Sequence, residues 1–524
     1  MRAFRIPLFC TALLTLACAS AAAETNAPVP PLRLLLDDLP TRCAPLPASL
    51  DAAARAQLDA FYRQRDDRPA WRDQAHLAAL GEQLEQLADD GLNPADYTLP
   101  ARLEPAPGCA DLLASHAYLQ ALRHLAGGRL EQARLEPLWR AEELPRPDPA
   151  PKALSIALRE LAEPARAFAA ARPALPQYQA LRALYAEQRQ RPLPSWSALA
   201  DGPLLRPGRS DPRVPALRQR LAAEGYLPAT AAQRQDSLFD LELVAALEDF
   251  QRSHALKPDG LLGPASLAEL NVDALTRRDQ LRVNLERLRW LAEDLARARL
   301  AINVAAAELL VLEDGRELWR TRTQVGRPDR QTPLLVSQID RLTLNPRWIV
   351  PPTIFREDKL PAIRRDPGYL ARHQMNVEDR AGQRLDPALI DWDNPGPIRL
   401  SQAAGPHNPL GRLALRFPNP FAVYLHDTPS QLLFEKSPRF FSSGCVRVEA
   451  VDSLLARLLP AEELAEVELR LASGRTQEYR VRPKLPLLIG YWTVEVDDRG
   501  RARYAPDIYQ HDRRLLRALL GLRP

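Results

Sequence analysis

The sequence predicts a multidomain α + β protein: a helical scaffold domain, a small three-helix unit inserted into it, and a mostly β domain with a capping insertion. Three observations predict this. The chain has 524 residues, too many for one hydrophobic core, so two to four domains are expected. Residues 25–200 repeat apolar side chains at steps of three and four, the helical period. From about residue 300 the pattern changes to two-residue alternation broken by turn signals, which reads as strands.

Composition narrows the class. Apolar residues make up 46% and charged residues 26%, with a net charge of +4 and 50 prolines. This is globular material with many stiff joints. No basic run is dense enough for a nucleic-acid track, so no nucleic-acid partner is expected. The basic residues are mainly Arg, whose planar fork suits carboxylates as well as phosphates.

The first element is an export signal. "MRAFR" is cationic, "IPLFCTALLTLA" apolar and "CASAAAE" small, which predicts a signal peptide over residues 1–23 cleaved near Ala21–Ala23. The apolar stretch is short of the ~20 residues that span a bilayer. An uncleaved anchor is the rival reading and would be the one route to a membrane. A lipoprotein reading through Cys18 is weaker, because Thr15 stands where such signals carry Leu. The expected location is the periplasm.

Export changes the cysteine arithmetic. Removing Cys10 and Cys18 leaves Cys43, Cys109 and Cys445. In an oxidising compartment three cysteines make one bridge and one free thiol most simply. Cys43 and Cys109 both lie in the Pro-rich N-terminal region and form the natural pair, although two unpaired buried thiols would fit the same residues. A bridge there would contribute ~4 kcal/mol by chain entropy. Cys445 is left over, and a catalytic role gives an exported thiol a reason to stay unpaired.

Residues 24–203 form the first part of the scaffold. "LDAAARAQLDAFYRQR", "HLAALGEQLEQLADDG" and "CADLLASHAYLQALRHLAGG" are helices separated by Pro-rich joints. His116 and His124 share one helix, but no Cys or carboxylate completes a metal set. Residues 204–272 form the compact inserted unit, with two or three short helices, Gly225 ending one and "KPDGLLGPAS" introducing the last. Residues 273–297 contain "LTRRDQLRVNLERLRWLAEDLA", an amphipathic helix with Leu281, Leu285, Leu288 and Leu291 on one face, returning to pack on the scaffold. Residues 298–485 form the mostly β domain. Within it, residues 353–411 run almost sixty residues between strands and read as a semi-ordered lid. Residues 486–524 are a C-terminal extension.

The chemistry centres on "FSSGCVRV" (441–448) and "VYLHDTP" (423–429), with Cys445 nineteen residues after His426. An ordinary thiol, of pKa ~8.5, is only a few per cent thiolate at neutral pH. An imidazole on a strand end would take its proton from a rigid support. Gly444 lets the backbone bend before the nucleophile, and the peptide N–H groups around Gly444 and Cys445 would face an oxyanion. Donors of this kind contribute about 3 kcal/mol each. Tyr424 shares a strand face with His426 and Arg447 shares one with Cys445. The tyrosine would hold a carbonyl, and the arginine would hold a substrate carboxylate or brace the loop. A structural aromatic and a structural salt bridge are the plain alternatives for these two. The residue types give no metal-ligand spacing around the pair, so neither metal nor cofactor is expected.

Two stretches resemble known families. In residues 204–272, Phe250, Gln251, Asp259, Gly260, Gly263 and Leu267 match the pattern of the peptidoglycan-binding domain 1 family, with Ser266 in place of its usual Thr. "HDTPSQLLFEKSPRFFSSGCVRVE" resembles the YkuD-type L,D-transpeptidase motif, with Ser442, Gly444, Cys445, Val446 and Arg447 falling on it. Where the family often has a second histidine this chain has Ser443. "NPRWIVPPTI", "GPHNPLGRLALRFPNPFAVYLHDTP" and "YWTVEVDDRGRARYAPDIY" are similar to its long, multidomain periplasmic branch.

The resemblance implies Cys445 as nucleophile and His426 as general base and acid, with Tyr424, Ser443, Gly444 and Arg447 around the oxyanion and substrate. It also implies that a backbone carbonyl orients the histidine ring, so Asp427 is given no part in a triad. The implied reaction attacks the third residue of a peptidoglycan stem, releases D-Ala and forms a 3→3 cross-link through a thioester that carbapenems would trap. Implied partners are stem peptides, glycan strands and other cell-wall synthases. The alternatives are an L,D-carboxypeptidase, a lipoprotein-anchoring transpeptidase, and a non-catalytic cell-wall scaffold.

Overall fold

The computed structural model describes residues 32–103 and 106–522. The expected signal peptide, with Cys10 and Cys18, lies outside the described residues. Among them no helix is long and apolar enough to cross a membrane.

The N-terminal part is helical. Helices α1 (Ala52–Arg63), α2 (Gln74–Gln86) and α3 (Pro107–Gly127) enclose a core of Phe61, Tyr62, Leu80, Leu84, Tyr118 and Leu122. Asp51 and Asp73 cap α1 and α2 by accepting from the Ala54 and His76 N–H groups, which satisfies donors a helix start leaves open. Cys43 and Cys109 are joined in a disulfide with Cα atoms 5.3 Å apart.

Helix α4 (Pro176–Gln190) leads to the inserted unit, built of α5 (Val214–Ala223), α6 (Leu241–Ser253) and α7 (Pro264–Leu270) around Leu217, Leu221, Phe239, Leu247 and Phe250. Gln251 is its polar keystone. Its amide N–H donates to Ser266 Oγ (2.9 Å) and Leu261 O (3.0 Å), and its Oε1 accepts from Gly260 N–H (2.9 Å). Helix α8 (Ala274–Arg297) returns to pack on α4, and Leu281, Leu285, Leu288 and Leu291 share one buried cluster with Tyr178, Leu181 and Tyr185.

The C-terminal part is a sheet that closes on itself. Its strands are β1 (Leu300–Asn303), β2 (Glu308–Glu313), β3 (Arg316–Gly326) and β4 (Leu335–Leu344), then β9 to β13 after the cap. The cap contributes β5 (Trp348–Ile349), β6 (Met375–Glu378), β7 (Arg384–Leu385) and β8 (Arg399–Gln402). The main sheet resumes with β9 (Leu413–Arg416), β10 (Leu425–His426), β11 (Phe440–Ser442), β12 (Val446–Val448) and β13 (Gln477–Gly490). Neighbours run β4-β9-β10-β12-β3-β2-β1-β13, and β13 pairs back onto β4. The enclosed core holds Leu342, Leu344, Leu415, Leu425, Val446, Val448 and Ile489. On the outer wall, Ala301, Leu310, Val336 and Leu488 pack with α4 and α8.

Two expectations are corrected. The boundary at residue 485 cuts a strand, because β13 continues to Gly490 and pairs with β1 from Leu487↔Leu300 to Gly490↔Asn303. Tyr491 and Tyr509 beyond it belong to the same enclosed core. The segment 353–411 is an ordered cap rather than a semi-ordered lid. Its strands β6, β7 and β8 join β5, which lies just before it, in a second sheet of order β5-β8-β6-β7 over a core of Ile363, Leu370, Met375, Val377 and Leu400. Short strands separated by prolines leave too little alternation for the period to be visible.

Candidate active site

Strands β10 and β12 run parallel, with Leu425 opposite Val446 and His426 opposite Arg447. Tyr424 O accepts from Val446 N–H at 3.1 Å. Side chains alternate along a strand, and Leu425 and Val446 point into the enclosed core. Tyr424, His426, Cys445 and Arg447 therefore share the outer face, and Cys445 and His426 are diagonal neighbours across two strands. Such neighbours have Cα atoms ~7–8 Å apart, within reach of long or aromatic side chains. Among the described residues no hydrogen bond joins the thiol to the imidazole, and such bonds commonly tighten only with substrate bound.

The imidazole is held in one tautomer. His426 is buried, and its Nδ1 lies 2.5 Å from Asp427 O. Nδ1–H donates to that carbonyl, which leaves Nε2 as the acceptor. The Asp427 carboxylate is occupied elsewhere, accepting from Arg412 N–H at 2.9 Å. Burial first, and the Arg447 and Arg416 guanidinium groups after it, lower the imidazole to about 3, with the Asp427 carbonyl opposing.

The half-buried thiol moves the other way. Burial pushes it up, against the smaller pull of the Tyr424 N–H, Arg416 and Arg447. The resting pair is thus a neutral thiol beside a neutral imidazole. Tyr424 stays a phenol, raised to about 12 by burial and by Cys445, and Arg416 lies over its ring with Cζ 3.8 Å from the centroid.

The turn before Cys445 is built from hydroxyls. Gly444 has φ +113°, a region that disfavours any side chain even though a Cβ there would meet only ordinary contacts at 3.5 Å. Ser442 Oγ donates to Cys445 O (2.5 Å) and accepts from Gly444 N–H (3.1 Å). Thr332 Oγ donates to Gly444 O (3.0 Å), and Tyr509 OH, accepting from Thr332 N–H at 3.0 Å, closes the brace.

This corrects the oxyanion expectation for Gly444, whose N–H is already spent on Ser442. Cys445 N–H has no partner among the described residues and remains the available donor. Ser443 is also differently placed: its Oγ accepts from Arg330 (3.1 Å), which pairs with Glu357 and Asp358 of the cap. Arg447 Nη1 donates to Gln324 Oε1 (3.1 Å), while its buried Nε has no partner. Thr332, Tyr509, Arg330 and Arg416 escaped the sequence reading, since all four act through strands or turns remote in the chain.

Comparison with known proteins agrees with this division. Residues 297–468 match the YkuD family, described as the L,D-transpeptidase catalytic domain. Residues 56–184 match a family described as a scaffold domain, and residues 210–270 one described as "Putative peptidoglycan binding domain". The chain is 35% identical over 241 residues to a Haemophilus influenzae protein named "Putative L,D-transpeptidase". That match covers 45% of this chain and 48% of the relative, so it spans about half of each. A crystal structure of the L,D-transpeptidase from Xylanimonas cellulosilytica aligns over 56% of this chain and 99% of its own, at 15% identity and a TM-score of 0.17.

Proposed function

We propose that this chain, which carries a YkuD-type L,D-transpeptidase catalytic domain and a peptidoglycan-binding domain, is a periplasmic L,D-transpeptidase that forms 3→3 cross-links through a thioester on Cys445. The observation that carries the reading is the common face of β10 and β12, with His426 Nε2 free to accept and Cys445 diagonal to it.

His426 takes the thiol proton as Sγ attacks the carbonyl of the third stem residue, the L-centre of a diamino acid. The charge that develops on the oxygen meets Cys445 N–H and the Tyr424 hydroxyl. The C–N bond to D-Ala then breaks, and His426 gives its proton to the leaving amine. In the second half the side-chain amine of another stem attacks the thioester and His426 accepts its proton; the C–S bond then breaks, and His426 returns the proton to Sγ, restoring the free thiol. With both groups neutral at rest, proton transfer and attack move together, and an idle thiolate is not exposed to oxidants.

The test is mass spectrometry of the protein after exposure to meropenem, beside turnover of purified tetrapeptide muropeptides. One adduct on the Cys445 peptide and a dimer joined 3→3 are expected. Cys445→Ala should lose both while keeping its fold. Full turnover by that variant would remove the nucleophile. Release of D-Ala without a dimer would favour a carboxypeptidase, and transfer to a lysine amine an anchoring enzyme. No adduct and no turnover would leave the non-catalytic scaffold.

A further inference from the structure

The register of the closed sheet places a row of arginines beside the thiol. Arg341 on β4 lies opposite Arg416 on β9 and, on its other side, opposite Arg480 on β13. On β9, Ala414 faces His426 and Leu415 faces Leu425, so the next pair is Arg416 with Tyr424. Tyr424 in turn stands beside Cys445. Five adjacent strands thus carry Arg480, Arg341, Arg416, Tyr424 and Cys445 in one line on the outer face. Their flanking neighbours, Leu342, Leu415, Leu425 and Val446, point into the enclosed core.

Charge in this row is only partly met by the chain itself. Among the described residues neither Arg416 nor Arg480 has an ion-pair partner. Arg416 donates to Thr343 Oγ (3.2 Å) and stacks on Tyr424. Arg341 meets only its chain neighbour Asp340, at 3.5 Å. Arg341 and Arg480 are exposed. Beyond the thiol, Arg447 leaves a buried Nε without a partner. A line of guanidinium groups with little internal counter-charge, ending at the thiol, suits an external anion.

We propose that Arg480, Arg341 and Arg416 form a track that binds the free carboxylates of an extended acidic peptide and leads its scissile carbonyl to Cys445. The proposal rests on the transpeptidase reading for the identity of that peptide, the donor stem. The dimensions fit: four strand spacings of ~4.8 Å make about 19 Å, and an extended tetrapeptide covers about 13 Å at ~3.3 Å per residue. A bound stem would lie over Arg416 and Arg341, with Arg480 at the entrance. Guanidinium groups match carboxylates two bonds at a time, which a lysine at the same positions would not.

The experiment is calorimetric titration of the full chain carrying Cys445→Ala, so that nothing turns over. The probes are a synthetic tetrapeptide donor ending in D-Ala with its carboxylates free, and the same peptide with every carboxylate amidated. The acidic peptide should bind about tenfold more tightly, and its advantage should shrink as salt rises. Arg341→Gln with Arg480→Gln should remove most of that advantage and leave affinity for the amidated peptide as it was. Both side chains are exposed, so the fold is expected to survive; Arg480→Gln alone, with about half the effect, is the second variant. Equal affinity for the two peptides, or a double variant that keeps the full preference, overturns the track. The two readings fail separately. A chain with Cys445 intact that forms neither thioester nor dimer, while its alanine variant still prefers the acidic peptide, sinks the transpeptidase and supports the track.

Discussion

Arginines in the scaffold and arginines on the catalytic face are the same residue put to opposite use. Arg287 on α8, fully buried, pairs with Glu136 at 2.7 Å and Asp512 at 2.5 Å. Arg289, two residues on and buried as well, pairs with Glu286 and donates to Asp90 O at 2.6 Å. Asp90 itself accepts from Arg172 (2.9 Å), Arg182 (3.0 Å) and Tyr178 (2.8 Å). On the outer wall of the sheet Arg416 and Arg447 have only neutral partners, a threonine hydroxyl and a glutamine amide oxygen. A buried charge left without its counter-charge is costly. In the scaffold the chain meets that requirement itself and gains a fixed junction between α8 and its neighbours. At the sheet the requirement is left open, which is what the proposed track needs.

The largest effect that would break this contrast is in the scaffold. Glu136→Ala strands Arg287 beside one remaining carboxylate, and unfolding by urea should show a loss of about 3–5 kcal/mol. A loss below 1 kcal/mol would mean the buried pairs are as replaceable as surface ones. Next, Arg447→Gln should slow acylation by a tetrapeptide donor about 10–100-fold, the value of a hydrogen bond to a charged group. Its melting temperature should stay or rise, because no internal ion pair is lost. A fall in stability matching that of Glu136→Ala would make Arg447 a structural residue and erase the difference.

The smallest effect concerns the electrostatics around the thiol. With the thiol raised and the imidazole lowered to about 3, thiolate should be scarcer at pH 7 than in a free cysteine. Iodoacetamide alkylation of Cys445 should therefore lag glutathione by a few-fold. It should climb about tenfold per pH unit from 7 to 9, with no inflection near 6.5, since His426 is already neutral above and below that value. A flat profile from pH 5 to 8 would show a preformed thiolate–imidazolium pair and reverse the reading of the resting state.

The local features of the site were legible because they depend on neighbours in the chain. Gly444 before Cys445 announces the φ +113° turn, and His426 at the end of "AVYLH" announces a base on a strand. Their partnership rests on a parallel pairing across nineteen residues, which the motif carries. The cap was misread because its core is gathered from short, proline-broken pieces. Gly444 was misread because a hydroxyl two residues back competes for its N–H, and spacing does not reveal which acceptor wins.

What the amino-acid sequence determined by itself is the order of parts and the candidate pair: helical scaffold, inserted unit, returning helix, mostly β domain, and a thiol with an imidazole nineteen residues before it. Periodicity and short motifs are local, and local information suffices for them. What only the tertiary structure decided is the surroundings. The neutral state of the pair follows from burial, which the guanidinium groups of Arg447 and Arg416 reinforce at the imidazole and oppose at the thiol. The alignment of Arg480, Arg341 and Arg416 follows from strand register between segments up to 139 residues apart. Register is set by how distant apolar faces interlock, so no window along the chain contains it.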